Sequence, residues 1–319
     1  VKPEELTKRE ELKLSKPHVY DKVVQHGMRI VRIEPSYVCN MACQHCSIRD
    51  LQKRRGGRAM TIKDIQCIAD QADELGFAQF VISGGEPLLY PNFDEIVAAI
   101  DPGRFWITTD SNGWLLDYEK AKHLKEIGVD KVQISIDSTF AGDHDKFRNK
   151  VESWEKATQA IFFSKKAGLR VIIQTTVDKK RVHSNELKYF IGLFAEYEIP
   201  VYISYMKPVG AWKEHEALDQ SDIDYVESLT KVHNVFTHLT PSYDYPGGCI
   251  AMKRMINITK WGEVNPCPFM QELVIGNIFD EPLKDIVDRG MKYFDCKIDT
   301  CLMATEKDFI NEFRKTYTG

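Results

Sequence analysis

The stretch Cys39-Asn40-Met41-Ala42-Cys43-Gln44-His45-Cys46 places three thiols on one short segment at Cys-x3-Cys-x2-Cys spacing. Three thiolates can hold three irons of a [4Fe-4S] cube and leave the fourth open to a small chelating ligand. An isolated cysteine trio otherwise reads as buried thiols or as part of a structural zinc site. Zinc knuckles build on two Cys-x2-Cys or Cys/His pairs. The next strong feature here is instead Ser83-Gly84-Gly85-Glu86-Pro87, a glycine-rich loop with one carboxylate after an apolar run.

The two motifs, in this order and about forty residues apart, resemble the radical S-adenosylmethionine (SAM) superfamily. The resemblance implies that Cys39, Cys43 and Cys46 bind a [4Fe-4S] cluster and that SAM chelates its open iron. It also implies that the Gly84-Gly85-Glu86 loop receives the SAM amino group. Many members carry an aromatic residue before the third cysteine, near the SAM adenine. This chain has His45 there, as an adenine neighbour or as a proton-handling group. The run from Thr108 to Gly113 looks like the family's Thr-Asn-Gly turn, making Asn112 a candidate SAM contact, and equally like a plain Asx or glycine turn. Ser135 and Arg148 are further candidates, because a cation suits the SAM carboxylate, while Asp137 is a possible substrate group.

A second cysteine set follows. Cys249 and Cys267 bracket an alternating run, Arg254 to Val264, around a Lys260-Trp261-Gly262-Glu263 turn, which predicts a β-hairpin that brings the two cysteines together. With a short helix expected over about 281–291, this run resembles the twitch module, the shorter relative of the SPASM extension, which holds an auxiliary [4Fe-4S] cluster. Cys296 and Cys301 complete a possible ligand set of four; three ligands plus substrate, or a zinc ribbon, are the alternatives. Cys67, beside Ile65 and Ile68 in a predicted helix, reads as a buried small hydrophobe.

The elements that must position these groups alternate. Met28 to Glu34 reads as a strand entering the cysteine loop. Helices near 61–75, 92–100, 117–126, 153–167, 184–196 and 221–235 alternate with strands near 79–82, 104–109, 131–136, 170–177 and 200–205. That pattern predicts an α/β fold of parallel βαβ units. The resemblance implies a partial (β/α)6 TIM-like barrel with a small C-terminal hairpin and helix extension. The expected organisation is a leader over 1–27, a barrel over 28–238 and a cluster-binding extension over 239–319. Thr176, Met206 and Lys207 fall at strand ends, where adenine or substrate contacts or barrel filling are expected. Asp137, Lys207, His183, His215 and Tyr243 are the polar candidates at the mouth.

Composition bounds the function. The 319 residues are 43% hydrophobic and 28% charged, and 43 Lys and Arg against 47 Asp and Glu give a net charge of −4, which argues against phosphate-driven nucleic-acid binding. No apolar run reaches the roughly 20 residues of a membrane span. The expected location is the cytoplasm, where reducing conditions make a disulfide scaffold from eight cysteines improbable. The resemblance implies reduction by flavodoxin or ferredoxin, cleavage of SAM to a 5′-deoxyadenosyl radical, and hydrogen abstraction from substrate. Only 38 residues precede Cys39, too few for a peptide-binding domain, and the compact extension is similar to that of aminocyclitol dehydrogenases. The expected substrate is therefore a sugar, aminocyclitol or nucleotide-sugar, oxidised or epimerised. Maturation of a ribosomal peptide is the alternative, and a non-catalytic iron-sulfur or zinc module is the reading outside enzymology.

Overall fold

The computed structural model describes residues 3–231, 234–242, 245, 247–294, 300–304 and 306–317. Helices α1 (Pro3–Ser15) and α2 (Pro17–His26) precede the first strand, β1 (Ile30–Ser36). Then follow α3 (Ile62–Glu74), β2 (Gln79–Gly84), α4 (Phe93–Ile100), β3 (Trp106–Ser111), α5 (Tyr118–Glu126) and β4 (Lys131–Ser135). The second half of the alternation comprises α6 (Ala141–Arg148), α7 (Ser153–Lys166), β5 (Arg170–Val177), α8 (Asn185–Glu196), β6 (Val201–Tyr205), α9 (Gln220–Leu229) and β7 (Val235–Phe236). The C-terminal elements are β8 (Met255–Ile258), β9 (Glu263–Asn265), β10 (Gly276–Asn277), α10 (Leu283–Tyr293) and α11 (Lys307–Tyr317).

Strands β1 to β7 pair in sequence order and in parallel, so the expected alternation builds an open, partial TIM-like barrel. Outward residues such as Val31, Ile33, Phe80, Ile82, Ile107, Val132, Ile134, Val171, Ile173 and Ile203 are buried under the helices. The inward residues differ from the branched apolar filling usual in such barrels. Arg32, Gln79, Ser83, Thr108, Asp110, Lys131, Gln133, Ser135, Gln174, Thr176, Tyr202 and Ser204 line a cavity of about 450 Å³. The period of two therefore sends apolar residues outward and most polar residues inward, with Ile30, Val81 and Ile172 as apolar exceptions on the inner face.

The two leader helices close the end of the barrel from which the strands start. Leu12, Val19 and Val23 pack on Met28, Ala78 and Trp106, which sit just before or at the starts of the first three strands. Lys22 donates to the Phe77 and Arg104 carbonyls at 3.0 and 2.9 Å. Lys16 pairs with Asp130 at 2.6 Å. Chemistry is left to the opposite, C-terminal face.

The expected hairpin is β8 and β9, in the register Ile258↔Val264. It does not stand apart, because β8 pairs in parallel with β1, as in Ile30↔Met255 and Ile33↔Ile258, and extends the barrel sheet. Its tip clamps the chain beyond the first cysteine loop. Trp261 packs on Tyr37 and Ile48 and donates to the Gly56 carbonyl at 2.8 Å, while Arg54 forks onto Glu263 with two 2.8 Å bonds.

Three details depart from the expectations. Helix α6 forms where only a polar segment was expected, and the helix expected over 221–235 ends at Leu229. Cys67 is exposed rather than buried. Ile65, Ile68, Ala69 and Ala72 form the buried stripe of α3, and at 100° per residue Cys67 turns off that face.

Candidate active site

The cysteine loop leaves β1 and is stitched to three neighbours through its backbone. Gly85 N–H donates to the Ser36 carbonyl at 3.0 Å and Glu86 N–H to the Val38 carbonyl at 2.8 Å. Gln44 N–H reaches the Phe147 carbonyl at 2.9 Å, and Ala211 N–H the Cys46 carbonyl at 3.0 Å. The glycine pair is a steric requirement. A Cβ at Gly85 would lie 2.0 Å from the Val38 carbonyl oxygen, and Gly84, at φ +109°, would bring one within 2.3 Å of the Ser36 carbonyl oxygen.

Glu86 fixes the loop from inside. Its buried carboxylate accepts from Ser111 Oγ at 2.9 Å, Asn112 N–H at 2.8 Å and Leu88 N–H at 3.2 Å. Burial raises its pKa to about 7, against the pull of the Asn112 and Ser111 hydrogen bonds. Asn112 forms the Asx turn, accepting from Trp114 N–H at 3.0 Å, and its amide also donates to Asn40 Oδ1 at 2.8 Å. Both groups thus brace the cysteine loop, and both line the cavity.

Arg148 ends α6 and is buried with Asp137. Its Nε lies 2.6 Å from Asp137 Oδ2, and its other arm points toward Cys43 Sγ at 3.8 Å. Asp137 Oδ1 also accepts Thr176 N–H at 3.0 Å, and Asp137 N–H donates to His144 Nδ1 at 3.1 Å. Asp137 therefore positions Arg148, and its oxygens are taken up within the protein rather than offered to substrate. Ser135 lines the cavity at the end of β4. His45 stacks on Phe147, with centroids 4.5 Å apart and planes at 14°, and lies 5.7 Å from Trp212. Burial, with Arg148 adding to it, holds its imidazole neutral with a pKa near 3, so the aromatic role fits better than proton handling.

Cys249, Cys267 and Cys301 line the same cavity as Cys39, Cys43 and Cys46. Burial pushes the Cys249 thiol to about 11 and Cys267 to about 12, each raised further by its neighbours in the set; burial also raises Cys301. In the first trio burial raises Cys39 to about 11, and the other two thiols push the same way. Crowded thiols that resist ionisation alone suit an iron-sulfur cluster, whose metal charge deprotonates them. Among the described residues no three His, Cys, Asp or Glu side chains are arranged to hold a single metal ion. Cys296 and Tyr243 lie outside the described residues.

Lys207 is buried beside the second trio. It donates to the Tyr205 carbonyl at 2.7 Å and sits 4.4 Å from the Phe269 ring, two residues after Cys267. Burial lowers its pKa, against the attraction of Cys301, Cys267 and Cys249. The other mouth candidates are elsewhere. His183 pairs with Asp222 at 3.1 Å, His215 stacks on Trp212, and Met206 is buried as barrel filling. The inward polar residues Arg32, Asp110, Lys131 and Tyr202 are not singled out by the sequence, although Arg32, Lys131 and Tyr202 belong to strands in which polar and apolar residues alternate.

Residues 33–181 match the radical SAM superfamily model, and residues 249–308 match an iron-sulfur cluster-binding domain model, SPASM. The chain is 31% identical to the GTP 3′,8-cyclase of Peptoclostridium acidaminophilum, over 73% of this chain and 74% of that one. It is 24% identical to the AdoMet-dependent heme synthase of Methanosarcina barkeri, over 81% of each. Two further heme synthases match over only 42% and 41% of their own length. Among solved structures, Streptococcus suis SuiB bound to precursor peptide SuiA shares the fold with a TM-score of 0.65 at 18% identity, covering 87% of this chain and 69% of that one. The motifs, the partial barrel and these matches agree: the chain belongs to the radical SAM superfamily and carries a C-terminal iron-sulfur cluster-binding domain of the SPASM/twitch type.

Proposed function

We propose that this radical SAM enzyme removes a hydrogen atom from a small polar substrate held inside the barrel and oxidises or epimerises it. The observation that carries this reading is the one lumen, studded with polar side chains, that both cysteine trios line. Cys39, Cys43 and Cys46 would hold the SAM-binding cluster; Cys249, Cys267 and Cys301, with Cys296, would hold the auxiliary one. When bound, the cluster and SAM supply a 5′-deoxyadenosyl radical, with flavodoxin or ferredoxin as the electron source. The protein's own part is positional. The glycine loop and Glu86 brace the cysteine loop, Arg148 offers positive charge beside Cys43, and His45 stacked on Phe147, with Trp212 edge-on to that pair, gives an aromatic corner. The leader helices seal the far end of the barrel against water.

The test is deoxyadenosine release by the reduced, anaerobically reconstituted enzyme against sugars, aminocyclitols, nucleotide-sugars and short peptides. Stimulation by a polar small molecule is expected. Stimulation by peptides alone would transfer the reading to peptide maturation.

A further inference from the structure

The charges that line the lumen are uneven. Arg32, Lys131, Arg148, Lys207 and Arg254 face it, against the carboxylates of Glu86 and Asp110. Two of these cations are matched within the protein, Arg148 by Asp137 and Arg32 by Glu34 at 2.8 Å. Lys131 is not. Among the described residues its ammonium makes no ion pair, hydrogen bond or ring contact, and the adjacent Asp130 is taken by Lys16 at 2.6 Å and by Ile107 N–H at 2.7 Å. A cation withdrawn from bulk water with no partner is costly, and a ligand that supplies the counter-charge removes that cost.

Asp110 lines the same cavity. Its Oδ2 accepts from Ser83 Oγ at 2.8 Å and faces Arg32 at 3.6 Å, whereas Oδ1 is buried without a hydrogen bond. The surrounding amides are engaged within the protein, Gln133 donating to Gln174 and Gln79 to the Thr108 hydroxyl. Among the described residues, cavity-lining groups with unmet hydrogen-bonding capacity thus include Lys131, Asp110 Oδ1 and His238 Nε2. Lys131 opens β4 and Ser135 closes it, so the Lys131 backbone lies roughly 13 Å along the strand from the end that faces the first cysteine loop.

We infer that Lys131 is a substrate-anchoring residue: it holds an anionic group, a carboxylate or a phosphate, at the end of the substrate farthest from the reacting carbon. This rests on the reading of the lumen as the substrate site and narrows it to anionic substrates. Burial depresses the Lys131 pKa, and Asp110 and Asp130 oppose the shift, as a counter-anion also would.

Calorimetric titration of the anaerobic holoenzyme tests it, with succinate, inorganic phosphate and myo-inositol as probes and SAM titrated in the same preparations. Wild type is expected to bind succinate or phosphate in preference to inositol, and the tighter anion identifies the group. Lys131→Met should weaken that anion by roughly tenfold or more, Lys131→Arg should restore most of it, and SAM affinity should hold in both variants, which also reports that they fold. Unchanged anion affinity in Lys131→Met, no anion binding, or a preference for inositol overturns the inference while leaving the polar-lumen reading intact. Wild type that binds neither SAM nor any probe overturns both.

Discussion

The two cysteine trios face one cavity yet are built in opposite ways. Cys39, Cys43 and Cys46 lie within eight residues, on a loop whose shape is set by backbone bonds to the Gly84-Gly85 turn, to α6 and to the chain after β6. Cys249, Cys267 and Cys301 come from three separate segments, the first two flanking the hairpin that β8 carries back to β1 and the third following α10. The first site is thus a property of a loop and its clamps. The second is a property of the whole sheet. Their electrostatic settings run parallel, since each has a buried cation beside it, Arg148 at the first and Lys207 at the second.

The comparison breaks most visibly at Arg148. Arg148→Met leaves Asp137 buried without its partner, and denaturant unfolding should show a loss of about 3–5 kcal/mol. Iron at the first site should fall with it. A comparable loss of iron at the second site would mean that the two are not independently built.

Gly85→Ala sharpens the contrast by acting through the loop alone. Its methyl would press on the Val38 carbonyl oxygen, and a loss of about 3 kcal/mol with depleted first-site iron is expected, the second site keeping its own. Full iron at both sites would show that the loop tolerates the shift and that the glycine pair is not its clamp.

Acid acts on the same region. Burial alone would raise the Asp137 carboxyl, but Arg148, aided by His45 and His144, outweighs it and holds the pKa at about 2. A depressed acid stabilises the fold above its unfolded value and loses that contribution as pH falls, here between about 4 and about 2, with roughly 2 kcal/mol at stake. Stability measured across that window should fall less steeply in Asp137→Asn than in wild type. Parallel curves would contradict the assignment. The smallest effect is expected at Cys67, where Cys67→Ser should change stability by no more than about 0.5 kcal/mol and leave iron content untouched.

The same contrast governs how much was legible in the sequence. The first trio and the glycine loop could be read because their chemistry is local in spacing, and the strand and helix alternation because apolar runs and turns mark it. The hairpin was legible from its own alternation, but its return to β1 is a long-range pairing that no local pattern encodes. Asp137 looked like a free polar group because its partner lies on α6, a segment whose polar residues conceal a helix. The lumen residues were hidden differently. Arg32 and Lys131 alternate with apolar neighbours as surface residues of a sheet would, Asp110 sits in a polar run that reads as a turn, and only the curling of the sheet turns that face inward.

The central claim, two separately built clusters on one lumen, is tested most directly by anaerobic iron and sulfide analysis with EPR after reduction, on wild type and on a variant with Cys39, Cys43 and Cys46 all changed to alanine. About eight irons in wild type and about four in the variant, with a reduced-cluster signal that survives in the variant, is the predicted result. An iron-free variant would contradict it, leave the C-terminal thiols as structural or hydrogen-donating groups, and move a redox-neutral reaction ahead of oxidation.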